Sequence, residues 1–211
     1  MAGEARVNRF TLKLMAASLA LTAPVCAQSG GAPDADIISG DYDSLLIGFD
    51  PATRIVSGYF QESTGRGQFS CIFYLTGTWH RPDTPIRTWF PGTPADVIKG
   101  ALVRKAKGRF RVDLSDDHGG CWNVRHFADK DQPAEFDLET AHPWISIAVV
   151  KSDKAWFFDA PGSAAHRKAY VVQGDGLGVR AIRGQWLQVD FVGGSKPVSG
   201  WIRTSDVYPA R

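Results

Sequence analysis

This sequence predicts an all-β fold in two units, and three observations carry that prediction. Short apolar runs recur along the chain with turn-forming residues between them. The 22 glycines and 12 prolines among 211 residues interrupt any stretch long enough for a sustained helix. Hydrophobic residues make up 44% of the chain, enough to bury a core, which excludes a disordered or collagen-like protein. The formal charge of +2 gives no field strong enough to select nucleic acid or an anionic membrane surface.

The first residues read as an export signal and not as part of the fold. Arg6, Arg9 and Lys13 form a positive start, residues 14–21 an apolar run, and Pro24 precedes Val25-Cys26-Ala27, a small-x-small cleavage site. A signal peptide over 1–27 and a periplasmic or secreted location are therefore expected. Lipidation at Cys26 is the alternative, but the residue just before it, Val25, is β-branched. The apolar run is too short for a bilayer anchor, and no later segment approaches the required length, so no membrane span is expected. Loss of Glu4, Arg6, Arg9 and Lys13 takes the formal charge to zero. Loss of Cys26 leaves Cys71 and Cys121, an even pair that in an oxidising compartment predicts a disulfide. The competing reading is a catalytic thiol, with His118 and His126 nearby in sequence.

Residues 28–37 are small and polar and read as a flexible leader, followed by an N-terminal β domain over 38–127. Residues 44–49 are apolar and end at Asp50-Pro51-Ala52-Thr53, a good turn because proline presets the φ angle; residues 54–60 then complete a hairpin. After Gly65-Arg66-Gly67, residues 69–75 read as a buried strand with Cys71, Phe73 and Leu75 on one face. Residues 80–94 contain four prolines and read as a loop. Residues 97–103 resume regular structure, and 110–114 alternate apolar and polar at period two. Asp116 to Gly120 turns the chain into a strand beginning at Cys121. Residues 128–143, charged and proline-punctuated, read as a linker. The unit is expected to be an antiparallel β-sandwich or small barrel.

Residues 144–211 form the second unit, with strand-like runs at 144–150, 155–158, 170–173, 178–182, 186–191 and 200–202. Pro161-Gly162, Gly174-Asp175-Gly176 and Gly193-Gly194 supply the turns. Here Ala155-Trp156-Phe157-Phe158 leads to Pro161-Gly162, then Lys168-Ala169-Tyr170-Val171-Val172-Gln173-Gly174-Asp175. Gly184-Gln185-Trp186-Leu187-Gln188-Val189 follows, and Ser199-Gly200-Trp201-Ile202 closes before Ser205-Asp206-Val207. This order resembles the bacterial SH3-type domain, a small β-barrel of exported proteins, over roughly residues 145–208. Where many members carry Asn-Val-Arg before the proline, this chain has Trp156-Phe157-Phe158. The resemblance implies a C-terminal SH3-like β-barrel that binds a cell-wall peptide or a protein partner, and it implies no catalysis.

Few residues carry reaction chemistry. Asp116-Asp117-His118 has metal-ligating residue types, but adjacent residues seldom converge on one ion, and Gly119-Gly120 marks a turn. The five histidines (80, 118, 126, 142 and 166) form no ligand pattern and read as surface or loop residues. There is no nucleophile elbow, and the glycines around Asp175 precede a strand where a phosphate loop wants a helix. No catalytic residue, metal or cofactor is expected. Aromatic display is the strongest signal. Trp156, Phe158, Tyr170, Trp186 and Trp201 crowd a small unit, and Trp156 and Phe158 alternate with Ala155 and Phe157, so one set faces outward. Arg167, Lys168 and Arg203 could add charge complementarity. The expected function is an exported, non-catalytic binding protein whose partner is a protein or a peptidoglycan peptide of the cell envelope. A periplasmic inhibitor or immunity-type protein acting on a wall-degrading hydrolase is the alternative, and a hydrolase using scattered acids such as Asp113, Asp116 and Asp117 is a third class.

Overall fold

The computed structural model describes residues 37–208; the signal peptide expected over 1–27, and the expected leader up to residue 36, lie outside the described residues. Ile37 is itself buried in the core. The fold is all-β. Nine strands form the first sheet: β1 (Gly40–Asp41), β2 (Leu45–Asp50), β3 (Ile55–Thr64), β4 (Phe69–Thr78), β5 (Asp83–Trp89), β6 (Ile98–Ala106), β7 (Arg109–Leu114), β8 (Ala134–Asp137) and β9 (Thr140–Ala141). They pair antiparallel in the order β8-β7-β6-β5-β4-β3-β2-β1-β9, and the sheet curls into a half-barrel.

The expected hairpin over 44–60 is the β2–β3 pair, closing at Asp50↔Ile55. Its turn is stapled by Asp50, whose carboxylate accepts the Ala52 N–H and the Thr53 hydroxyl at 2.9 and 2.8 Å. Side chains alternate along every strand. The inner face therefore collects Val56 and Phe60 from β3, Phe73 and Leu75 from β4, Leu102 from β6, and Phe110 and Val112 from β7. Phe127 stands among them, with ring centroids 5.0 Å from Phe60 and 4.9 Å from Phe73, both edge-on.

Cys71 and Cys121 form the expected disulfide and are fully buried. The partner of β4 is not a strand, however. Residues 121–123 make a 3-10 turn, with the Val124 and Arg125 N–H groups donating to the Cys121 carbonyl. The bond ties a short coil onto the sheet.

Two other segments differ from expectation. Residues 80–94 hold β5, a central strand, although it contains Pro85. Pro85 faces Ala101 of β6, while the ladder to β4 runs only from Trp89 to Ile86; the proline therefore lies just past the place where a missing N–H would break that ladder. Residues 128–143, read as a linker, supply both outermost strands. β8 pairs with β7, and β9 pairs with β1. Between them the Leu138 N–H donates to the Gly108 carbonyl and the Glu139 N–H to the Asp41 carbonyl. One run of chain thus clasps the two ends of the curled sheet. Gly40 permits the clasp, because a Cβ there would strike the Thr140 carbonyl.

A second, four-stranded sheet follows in the order β10 (Ser146–Val149), β13 (Gly176–Arg183), β14 (Trp186–Phe191), β15 (Val198–Arg203). The loop between β10 and β13 carries a short hairpin, β11 (Ala155–Trp156) with β12 (Tyr170–Val171). A 3-10 turn over Thr204–Asp206 leads to Val207, which bridges back to Val150. The core of this body contains Phe157, Leu177, Val179, Val189 and Ile202.

The two sheets share a third apolar layer: Ile147 and Val149 of β10, with Trp144, pack against Tyr59, Tyr74 and Trp89 on the outer face of the half-barrel. Several of its polar groups are paired. The Tyr74 hydroxyl donates to the Ile147 carbonyl at 2.9 Å, the Ser57 Oγ accepts the Ile147 N–H at 2.9 Å, and the Tyr59 hydroxyl donates to the Gly174 carbonyl at 2.7 Å. The Trp144 indole N–H donates to Asp190 at 2.9 Å. The Trp144 ring lies flat over Gly178, where a Cβ would enter the ring itself. Gly178→Ala is expected to overpack this layer and cost about 1–3 kcal/mol, read as a lower urea midpoint. Cys71→Ser reopens a loop of 50 residues, and by chain entropy it is expected to cost about 4 kcal/mol in the same assay.

Candidate functional site

The hairpin β11–β12 and the strands β14 and β15 place their outward side chains on one face. Alternation decides which residues these are. Ala155 and Phe157 are fully buried, so Trp156 and Phe158 point the other way. Leu187 and Val189 enter the core and leave Trp186 outside; Ile202 does the same for Trp201 and Arg203.

The result is a connected aromatic strip. Trp156 faces Tyr170 across the hairpin, with ring centroids 5.0 Å apart and edge-on. His166 stacks on Trp156 at 4.3 Å and meets Phe158 edge-on at 6.2 Å. Phe158 in turn meets Trp186 edge-on at 4.9 Å. Trp201 joins through the backbone, because Phe158 and Trp201 exchange N–H to carbonyl hydrogen bonds of 2.8 and 3.0 Å. All five sequence-predicted aromatics therefore lie in one place, in two roles. Tyr170 is 45% exposed, and Trp156 and Trp186 are half-buried, so these form the accessible part. Phe158 and Trp201 are each only 7% exposed and brace the others from behind.

Cations cover the strip. The Lys154 ammonium lies 4.7 Å from the Tyr170 ring centroid, and the Arg203 guanidinium lies 5.5 Å from that of Trp186. Arg183 covers Trp201 at 5.3 Å. Arg167 is engaged structurally instead: it donates to Asp159 at 2.6 Å and to the Ser199 carbonyl at 2.7 Å. Lys168 is exposed. Sequence reasoning passed over Lys154 and Arg183, and read His166 only as a surface or loop residue. Only the proximity of Trp156 to Lys154 gave a hint, since the stacking itself depends on how the loop after Pro161 folds back.

The residues weighed for reaction chemistry are occupied elsewhere. The Asp117 carboxylate accepts the Phe127 and Ala128 N–H groups at 2.8 and 3.2 Å, holding the loop, and Asp113 takes two donors from Arg111 at 3.0 and 2.7 Å. Among the described residues, no three His, Cys, Asp or Glu side chains converge to hold a metal. His118 departs from the surface reading. It is buried, stacked on Phe73 at 5.2 Å, with its Nε2 2.7 Å from the Thr88 hydroxyl. A cleft between the two sheets holds Asp41 and Asp175, both raised above the usual carboxylate range chiefly by burial, with Tyr59 and Gln61 beside them.

Burial holds the His118 pKa below that of a free imidazole, with Asp117 and Asp116 only partly opposing the shift. The folded protein therefore keeps His118 neutral at a pH where the unfolded chain takes up the proton. Its contribution is complete above the free-histidine value of about 6.5 and is lost as pH falls through and below that value. Asp41 and Asp175 act oppositely and lower, favouring the fold as pH drops toward their raised values. Urea titrations at pH 7.5 and 5.5 are expected to show lower stability at 5.5, and His118→Gln should reduce that difference. Comparison with protein-family models, with curated proteins and with solved structures finds no match for this chain.

Proposed function

We propose that this chain is an exported, non-catalytic binding protein whose C-terminal body is an SH3-like module for a peptide of the cell wall or of a protein partner. The observation that carries this reading is the aromatic strip bordered by Lys154, Arg183 and Arg203. Edge-on and stacked rings hold each other in place, so little side-chain entropy is lost when a ligand lies across them. The cations select a peptide that carries carboxylates, because a carboxylate can pair with them without displacing the rings. The SH3-like reading is supported by the meander β13–β14–β15, the hairpin inserted after β10, and the 3-10 turn before the last bridge. The buried disulfide suits an oxidising compartment such as the periplasm.

The test is co-sedimentation of the protein with isolated peptidoglycan, alongside a pull-down from envelope extract. Binding is expected in one of the two, and Trp156→Ala or Trp186→Ala should each weaken it by about 1–3 kcal/mol. Trp122 is 69% exposed on the disulfide-tied turn of the half-barrel, outside the strip, and Trp122→Ala should leave it unchanged. Stoichiometric recovery of one wall hydrolase, insensitive to Trp156→Ala, would favour the inhibitor reading. Release of new wall fragments by the purified protein would overturn both.

A further inference from the structure

The outer face of the half-barrel holds a groove of about 690 Å³, a volume in the range of small-molecule sites, running over β3 to β6 and bordered by Ser146 of β10. The strand register places its residues. Ser57 is opposite Thr76, Thr76 opposite Arg87, and Arg87 opposite Lys99, so these four form one row across four strands. Alongside that row stand Ile55, opposite Thr78, and Pro85.

The lining chemistry is lopsided. Three hydroxyls along the floor are already committed: Tyr74 donates to Ile147, Thr76 to the Val56 carbonyl at 3.2 Å, and Ser57 accepts the Ile147 N–H. What remains open to a ligand is an apolar floor, the Thr78 and Ser146 hydroxyls, and two cations. Arg87 and Lys99 are exposed and directly opposite on adjacent central strands, an arrangement that costs stability through like-charge repulsion. No acidic residue lines the groove, and neither cation has an ion-pair or hydrogen-bond partner among the described residues. The acid two residues along β7, Asp113, is held by Arg111.

We propose that this groove binds a small amphipathic anion, with its aliphatic body against Ile55, Tyr74 and Pro85 and its carboxylate or phosphate bridging Arg87 and Lys99. A single headgroup placed between the two cations would convert their repulsion into attraction. Two cations inside a concavity suit a monomeric amphiphile, since attraction to a lipid surface takes clusters of 4–8 on an exposed face. This site is independent of the aromatic strip.

Calorimetric titration of the whole protein with decanoate, decyl phosphate and decanol, each below its aggregation concentration, tests the proposal. Decanoate and decyl phosphate are expected to bind at one per chain, at least tenfold more tightly than decanol, and more weakly as salt rises. The double variant Arg87→Gln/Lys99→Gln should lose at least tenfold for both anions and keep its affinity for decanol. Without ligand, that variant should unfold at a higher temperature than the wild type, because the repulsion is gone. Equal affinity for decanol and decanoate, anion binding unchanged in the double variant, or no binding of either anion would each overturn the proposal.

Discussion

β10 is buried on both faces, and the arrangement of the rest follows from that constraint. Ala148, and Val150 just past the end of the strand, enter the core of the small body, while Ile147 and Val149 enter the layer against the half-barrel. A strand in this position has its backbone shut off from water, so each peptide group needs a partner on one side or the other. β13 serves one side, pairing Ile147 with Gly178, and the Tyr74 and Ser57 hydroxyls serve the other. The tyrosine matters doubly, since its ring fills the shared layer while its hydroxyl satisfies a carbonyl that no neighbouring strand can reach. The two sheets are consequently one body with three apolar layers.

That rigidity gives meaning to two surfaces of different chemistry. The aromatic strip presents polarizable rings under a cover of cations on the small body. The groove offers an aliphatic floor and one pair of opposed positive charges on the half-barrel. Neither depends on net charge, which is close to zero. The cations are placed locally, and in both cases they border an apolar surface where the local dielectric makes one charge count for more than it would in bulk water. β10 stands between the two, with Ser146 bordering the groove and β13 carrying Arg183 to the strip.

Much of this was legible in the sequence where a local pattern decides the outcome. The alternation at 155–158 put Trp156 and Phe158 on the face opposite Ala155 and Phe157, though burial alone told which face is core, and the even pair of cysteines left after Cys26 pointed to the disulfide. The failures share a physical cause. Residues 83–89 do alternate, with Thr84, Ile86 and Thr88 inward, but four prolines nearby outweighed that signal until the ladder showed Pro85 in a tolerated place. Residues 134–141 look like a linker because their partners lie about 25 residues before them and about 100 residues before them. His118 reads as a turn residue because its burial is created by Phe73, 45 residues earlier. The opposition of Arg87 and Lys99 is likewise a property of register, which composition does not contain.

The clasp made by β8 and β9 governs how the protein can be divided. A fragment ending at Phe127 would keep seven strands of the first sheet and the disulfide, yet β7 and β1 would each lose the neighbour that occupies their outer hydrogen bonds. Exposed strand borders of that kind recruit one another between molecules. The nascent chain meets the same difficulty until residue 141 has been made, so intermolecular association competes with folding for as long as the last two strands are missing.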